Sequence, residues 1–263
     1  RSGRRRRLAA TMAEFDELAQ ERAALEALLE GAGVDLQALQ LRAQADSDSE
    51  DEEDELQRIE VGGVAWSLYV VPDDGEVQGT LFASQVWNAA RYIAEYLVGH
   101  SAVVHGKTTL EVGAACALPS LVALHLGAAF SLITDYPDDK ILQAIQRTLE
   151  ENAEHLDGLE QRAKVTGHKW GEDVEELLQQ QEGGFDVALA AEDLWLHDEH
   201  ENLAASLAAA VKPGGIAIIS YTHHIPGLEA QDDAFFTTTA DRFEVIEEVQ
   251  KDFPKMWNSD AMQ

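Results

Sequence analysis

Apolar and polar residues between positions 108 and 135 follow the order of a strand, a helix and a second strand. An apolar run from Thr108 to Val112 leads into a turn of small residues, and a helical pattern follows until Gly127. The helical pattern consists of Leu118, Leu121, Val122, Leu124 and Leu126. A second apolar run then ends on Asp135. This periodicity predicts one βαβ unit.

The same order repeats through the rest of the chain. Helices are predicted at residues 138–156, 172–181 and 199–211, and strands at 163–168, 185–191 and 216–221. The run Lys212-Pro213-Gly214-Gly215 predicts a turn before the last of these strands. Alternating strands and helices indicate an α/β fold with a mostly parallel, doubly wound, Rossmann-like sheet.

The region before this core divides into an extension and a folded part. Residues 13–29 predict an amphipathic helix, and the acidic run at 45–55 predicts a solvated, disordered linker. Residues 59–70 predict a hairpin around Gly62-Gly63, a turn follows at 72–75, and a helix is predicted at 86–97. We therefore predict an extension at residues 1–58 and one folded α/β domain at 59–263.

Both ends of the chain carry unusual features. The sequence begins on Arg1, and residues 1–11 are expected to be a leader or, alternatively, a basic localisation patch. After a helix at 233–240, residues 243–249 predict a sixth strand, and nothing beyond them has the pattern of a seventh. The pattern accounts for six strands of the core sheet. We therefore predict that the chain lacks the last strand of this sheet.

The turn after the first core strand is suited to a ligand. Gly113, Ala115 and Ala117 occupy alternate positions, and Leu118 stands where a dinucleotide fingerprint requires glycine. Asp135 ends the next strand about 20 residues on, the separation at which a carboxylate can accept both ribose hydroxyls. The spacing favours S-adenosylmethionine over a dinucleotide, although such a turn can also serve tight strand–helix packing alone.

Charge and cysteine content limit the possible partners. The formal charge is −30, from 19 Lys and Arg against 49 Asp and Glu, which disfavours nucleic acid and suits a basic partner. The sequence contains no run of 18 apolar residues, so we expect no membrane span. The single cysteine, Cys116, indicates a reducing, cytoplasmic location and a small core residue, with an oxidation-sensitive thiol as the alternative.

The histidines raise the possibility of a metal site. His197 and His200 are three residues apart, and the pair His223-His224 follows the last predicted strand. Adjacent histidines often point apart, and the sequence has no His-Glu-x-x-His. We therefore predict no metal.

Several short motifs resemble one known family. They are Val86-Trp87-Asn88-Ala89, Glu111-Val112-Gly113-Ala114-Ala115, Thr134-Asp135-Tyr136-Pro137-Asp138, Gly167-His168-Lys169-Trp170-Gly171, His197-Asp198-Glu199-His200-Glu201, Lys212-Pro213-Gly214-Gly215 and His223-His224. Together they are similar to the protein N-terminal and lysine methyltransferases that act on elongation factor 1-alpha. The resemblance spans roughly residues 65–257. It implies a class I methyltransferase that uses S-adenosylmethionine.

The resemblance also assigns residues to the cofactor. Carried over position by position, they are Trp87, Gly113, Ala114, Ala115, Asp135, Trp170 and Ala191. Two features depart from the family: alanine stands at the third and fifth turn positions, and Glu192 stands where aspartate is expected. Alanine costs roughly 1 kcal/mol wherever the backbone needs a positive φ.

The acceptor amine must lose its proton before the methyl group is transferred. At pH 7 this costs about 1 kcal/mol for an α-amine but nearly 5 kcal/mol for a lysine. Glu192, Asp193, Tyr221 and His223 are the candidates to orient the amine or accept its proton, because all lie near predicted strand ends.

Three classes of function follow from the sequence. The first is a monomeric protein methyltransferase, with elongation factor 1-alpha as the suspected substrate and no nucleic acid or membrane partner. The second is a small-molecule N-methyltransferase acting on a nicotinamide-like substrate. The third is a catalytically silent binding module that has kept the fold.

Overall fold

The computed structural model describes residues 55–71, 83–223 and 227–252. The strands are β1 (Glu55–Val61), β2 (Val64–Val70), β3 (Thr108–Val112), β4 (Phe130–Asp135), β5 (Ala163–Gly167), β6 (Phe185–Ala191) and β7 (Val211–Ser220). The helices are α1 (Asn88–Gly99), α2 (Leu118–His125), α3 (Asp139–Glu151), α4 (Leu159–Arg162), α5 (Glu175–Gln180), α6 (His200–Ala210) and α7 (Glu229–Thr238). Short 3-10 helices lie at Ser101–Val103, Ala153–His155 and His197–Glu199.

The central sheet has five parallel strands in the order β5-β4-β3-β6-β7. From β3 the chain first builds outward through β4 and β5, and it then returns to add β6 and β7 on the other side of β3. The strand order therefore reverses between β3 and β6, and ligands bind at such a switch point, beyond the carboxyl ends of the strands. This topology confirms the predicted α/β, Rossmann-like fold class.

Helices cover both faces of the sheet. On one face Ile93 and Leu97 of α1 and Leu121 of α2 belong to a single buried apolar cluster. On the other face Leu203 of α6 and Phe235 of α7 are buried in a second cluster. The three central strands are therefore enclosed on both sides, which explains the continuous apolar runs in β3, β4 and β6.

The β1–β2 hairpin is attached to α3 through hydrogen bonds to its backbone. Ser67 and Tyr69 of β2 donate their N–H groups to Asn152 Oδ1 at 3.0 Å and to Thr148 Oγ1 at 2.9 Å. Asn152 Nδ2 donates in return to the Ser67 carbonyl at 2.7 Å. These side chains provide hydrogen-bond partners for backbone groups at the edge of β2. The predicted hairpin is present, and β1 starts at Glu55 rather than at residue 59.

The turn predicted at residues 212–215 is part of strand β7. Phe185 of β6 pairs with Val211 and Val187 with Ile216, so the two strands shift register between these pairs. The extra residues form a bulge in which Gly214 has a φ of 82°. The sequence indicated the glycines of this bulge, but it did not indicate that the pairing of β6 with β7 continues on both sides of it.

The strand predicted at residues 243–249 does not form. These residues have no regular secondary structure, and Val245, Ile246 and Val249 are 57%, 76% and 54% exposed. A strand is stable only when a neighbour pairs with its backbone, and here alternating apolar residues lack that neighbour. The helix predicted before this segment is present as α7, which starts four residues earlier, at Glu229.

Several predictions fall outside the described residues. These are the leader, the amphipathic helix at 13–29, most of the acidic run, the turn at 72–75, His224 and the last residues of the chain. Within the ranges that the structure describes, no helix combines the length and apolar character needed to span a membrane.

Candidate functional site

The turn between β3 and α2 is a strained loop at the switch point of the sheet. Gly113, Ala115 and Ala117 have φ angles of 59°, 47° and 59°, in the left-handed region. The Ala114 N–H donates to the Thr134 carbonyl at 3.1 Å, which holds the turn against the end of β4. Because alanine disfavours this region, each of the two alanines costs roughly 1–2 kcal/mol. The strain anticipated from the sequence is therefore present.

Asp135 ends β4 directly beside this turn. Its Oδ2 accepts the Ala115 N–H and its Oδ1 accepts the Tyr136 N–H, both at 2.7 Å. Burial raises the pKa of Asp135 to about 6, although the two N–H donors lower it in part. Asp135 thus fixes the shape of the turn, a role that the sequence did not predict.

Glu111 lies inside β3, under the turn. It is 1% exposed, and its Oε2 accepts the Ser120 N–H at the start of α2 at 2.9 Å. Burial raises the pKa of Glu111 to about 8. Sequence reasoning did not propose this residue for the site, although one acid within an apolar strand was the signal that could have found it.

Asp193 approaches the turn from the loop that follows β6. A Cβ placed on Gly113 would lie 2.1 Å from Asp193 Oδ1, so only glycine leaves room for this carboxylate. Asp193 is 5% exposed, and its Oδ2 has no hydrogen-bond partner. Burial raises the pKa of Asp193 well above its usual value, and the charges of Asp135, Glu111 and Glu192 raise it further.

Glu192 directly precedes Asp193, but its carboxylate contacts other elements of the fold. With a φ of 64°, it directs Oε1 to the Ala89 N–H at 3.3 Å and Oε2 to the Thr222 N–H at 3.0 Å. Its carboxylate therefore joins the start of α1 to the end of β7. Trp87 is the residue just before α1 and is buried, while Ala191 ends β6 immediately before Glu192.

Tyr221 and His223 follow β7 and are attached to α7. The Tyr221 hydroxyl donates to Asp233 Oδ1 at 2.7 Å, and burial together with that carboxylate raises the tyrosine pKa. His223 Nδ1 lies 2.8 Å from Asp232 Oδ2, and His197 Nε2 lies 2.7 Å from Asp232 Oδ1. The buried carboxylate of Asp232 thus links two loops at the carboxyl edge of the sheet.

Trp170 lies in a different environment from the other predicted cofactor residues. It packs with the apolar cluster on the face of the sheet that α6 covers. The neighbouring Gly171 N–H and the His168 ring both contact Ser206 Oγ, each at 2.9 Å. The structure therefore places the Trp170 loop on α6, whereas Gly113, Ala114, Ala115, Asp135 and Asp193 converge on one turn.

The histidines considered for a metal have other partners. His197 and His223 both contact Asp232, and His200 Nε2 lies 2.7 Å from the Leu194 carbonyl. Across residues 55–71, 83–223 and 227–252, no three His, Cys, Asp or Glu side chains are grouped so that they could hold a metal ion.

Cys116 is part of the core beneath the cofactor turn. It is 2% exposed, and burial raises the pKa of its thiol to about 12. A thiol in this state does not ionise near neutral pH, and the thiolate is the form that oxidises readily. The prediction of a small core residue is confirmed.

Comparison with known sequences identifies the family. Residues 75–242 match the lysine methyltransferase family, and this chain belongs to that family. The match covers the sheet from α1 to the end of α7 and includes the turn, Asp135, Asp193 and Asp232. It confirms the resemblance predicted from the motifs.

Individual relatives agree with this assignment. The chain is 33% identical to a protein N-terminal and lysine N-methyltransferase of Emericella nidulans, over 59% of this chain and 64% of the relative. It is 35% identical to the protein of that name from Eremothecium gossypii, over 64% of this chain and 67% of the relative. The corresponding protein of Yarrowia lipolytica is 31% identical over 68% of this chain and 72% of its own length. The chain thus spans about two thirds of the curated relatives it matches.

Solved structures show the same fold. The crystal structure of SMU.776 in complex with SAH superposes with a TM-score of 0.50 and 15% sequence identity, covering 72% of this chain and 47% of that one. At this identity the likeness concerns the fold alone.

Proposed function

We propose that this chain is an S-adenosylmethionine-dependent protein N-methyltransferase that modifies the N-terminal α-amine, a lysine, or both, on a basic protein. Elongation factor 1-alpha is the substrate we expect. Membership of the lysine methyltransferase family supports the reaction, and relatives named for protein N-terminal and lysine methylation support a protein substrate.

One observation carries the proposal. At the switch point of a parallel sheet, a turn with three positive φ angles is held by the buried carboxylate of Asp135 and faces the unpartnered Oδ2 of Asp193. Aspartates suit hydroxyl and cationic groups. S-adenosylmethionine carries all of these groups, so the residues present fit it.

When bound, S-adenosylmethionine supplies a methyl carbon on a positively charged sulfur. The chain must then hold a neutral amine in line with that carbon and keep water away, and no residue needs to act as a nucleophile. An α-amine needs about 1 kcal/mol to lose its proton at pH 7, and lysine nearly 5 kcal/mol. Lysine methylation therefore needs a nearby proton acceptor, and N-terminal methylation does not.

The contacts of the four candidates support a choice among them. Both Glu192 oxygens accept backbone or hydroxyl hydrogens from other elements, and the raised pKa of Tyr221 keeps its hydroxyl protonated. His223 has its Nδ1 on Asp232 and 42% of its side chain exposed, and Asp193 keeps a buried oxygen unpartnered. We assign amine contact to His223, whose side chain is the more exposed of these last two.

The charge of the chain supports a basic substrate. A formal charge of −30 attracts a positively charged protein surface and repels a phosphate backbone. We propose that the enzyme works as a monomer in the cytoplasm and does not act on nucleic acid.

The proposal is tested by methyl transfer to defined substrates. The chain is incubated with S-adenosylmethionine carrying a labelled methyl group and with purified elongation factor 1-alpha. Two peptides of its N-terminus are tested in parallel, one with a free and one with an acetylated α-amine. Mass spectrometry of the products locates the added methyl groups.

The expected result is label on the protein, with loss of label on the acetylated peptide when the α-amine is the acceptor. Replacing each lysine by arginine in turn identifies lysine acceptors. Label confined to small molecules of a lysate would support a small-molecule enzyme instead. If the chain binds the cofactor but transfers no methyl group to any acceptor, the result would support a catalytically silent binding module.

A further inference from the structure

Asp193 is a buried carboxylate that the fold itself leaves unsatisfied. One oxygen occupies the space that a side chain at position 113 would take, and the other, Oδ2, is buried without a hydrogen-bond partner. A buried acceptor without a partner costs roughly as much as a lost hydrogen bond, and more when the group is charged. A carboxylate that only stabilised the fold would have both oxygens satisfied, as Asp135 and Glu192 do.

The charged groups acting on Asp193 are all acids. Asp135 at the end of β4, Glu111 within β3 and Glu192 in its own loop each oppose its ionisation. Asp135 and Glu111 accept hydrogen bonds from backbone N–H groups rather than from a cation. The turn is therefore lined by carboxyl groups, which favour a positively charged ligand at this place.

We propose that Asp193 is the counter-ion for a positively charged group of the cofactor, bound against Gly113. The inference rests on the proposed function and deepens it, because it names the residue that recognises the cofactor's charge. S-adenosylmethionine carries a sulfonium and an ammonium, whereas S-adenosylhomocysteine retains only the ammonium. Comparing the two ligands therefore distinguishes the two sources of positive charge.

The geometry explains why Gly113 and Asp193 go together. Any side chain at position 113 would collide with the carboxylate, and the φ of 59° there also favours glycine. Asp193 Oδ1 lies nearer than Oδ2 to the space that a Cβ at position 113 would take. Glu192 cannot take this position, since its own oxygens are held by Ala89 and Thr222.

A consequence is that cofactor binding is coupled to proton release. Burial among acids raises the pKa of Asp193, and a bound cation lowers it again, so binding releases protons at pH values between the two. Isothermal titration calorimetry at one pH in two buffers of different ionisation enthalpy measures the number of protons released.

The test compares Asp193→Asn with the wild type and with Asp157→Asn, a matched change at an exposed position. Affinity for S-adenosylmethionine and for S-adenosylhomocysteine is measured by calorimetry, and folding by thermal melting without ligand. We expect Asp193→Asn to bind S-adenosylmethionine at least tenfold more weakly and to lose the proton release. Asp157→Asn should match the wild type in both.

The loss of affinity for each ligand shows which positively charged group of the cofactor Asp193 contacts. Weakened binding of S-adenosylmethionine alone identifies the sulfonium, and an equal loss for both ligands identifies the ammonium; either supports the proposal. A folded Asp193→Asn that binds both ligands within twofold of the wild type overturns it while leaving the proposed function intact. A wild type that binds neither ligand overturns both.

Discussion

Asp135 accepts a hydrogen bond from the backbone N–H of Ala115, 20 residues earlier in the chain, with 2.7 Å between Oδ2 and N. This contact joins the end of β4 to the turn after β3, and it holds Ala115 in the left-handed region. The residue predicted to bind the ribose therefore also shapes the turn to which we assign the cofactor. Substitution at Asp135 removes both contributions together.

Asp135→Ala should weaken S-adenosylmethionine binding at least tenfold. Hydrogen bonds to a charged group contribute roughly 1.5–3 kcal/mol each, and a tenfold change corresponds to about 1.4 kcal/mol. Calorimetry measures the effect, and Asp139→Ala, an exposed change four residues on, serves as the control. Unchanged affinity in a folded Asp135→Ala protein would contradict the assignment.

Ala115→Gly should maintain the stability of the protein or raise it by up to about 1 kcal/mol. Glycine relieves a left-handed strain of roughly 1–2 kcal/mol, and the added freedom of the unfolded chain offsets about 0.4–1 kcal/mol of that gain. Ala123→Gly, in the buried middle of α2, should instead cost about 1 kcal/mol. Denaturant melts of the two variants give the comparison, and an equal loss in both would argue against strain at Ala115.

Glu111→Gln should remove part of the pH dependence of stability. Because burial raises the pKa of Glu111 to about 8 from an ordinary 4.5, the folded state binds a proton that the unfolded state releases. The contribution of Glu111 to the free energy of unfolding is therefore fully present below about pH 4.5, and it is lost as the pH rises towards 8. Glutamine keeps an acceptor for the Ser120 N–H and cannot ionise.

The measurement is urea unfolding at pH 5.5 and pH 8. Relative to the wild type, Glu111→Gln should gain at least about 1.4 kcal/mol between the two pH values, the equivalent of one pKa unit. Glu176→Gln, at an exposed position on α5, should show no such gain. Parallel pH profiles for Glu111→Gln and the wild type would show that Glu111 is ionised in the folded protein at both pH values.

Asp232→Ala should destabilise the protein by about 3 kcal/mol, since it removes the shared acceptor of His197 and His223 from a buried position. Asp233→Ala is the matched control: its side chain is 58% exposed, so the loss of its bond to Tyr221 should cost less than about 1 kcal/mol. Thermal and urea unfolding compare the two. Similar losses at both positions would show that the link between the loops is not the source of the stability.

Periodicity predicted the elements of the fold well where the signal is local. The strand at 108–112 and the helix from Leu118 are present at the predicted residues, and β6 spans Phe185–Ala191 as expected. The pattern failed at residues 243–249, because alternation shows that a segment could be a strand but not whether a neighbour is available to pair with it. It also read the bulge in β7 as a turn, since pairing with β6 across the extra residues is not a local property.

The sequence by itself determined the family, the parallel α/β class and the positions of the small-residue turn and of Asp135, because these depend on residue type and spacing along the chain. The tertiary structure decided where each carboxylate points. Glu192 and Asp193 are adjacent and chemically alike, yet one ties α1 to β7 and the other faces Gly113 with an oxygen left unpartnered. Burial, a positive φ at Glu192 and the approach of other strands produce that difference, and none of these can be read from two neighbouring letters.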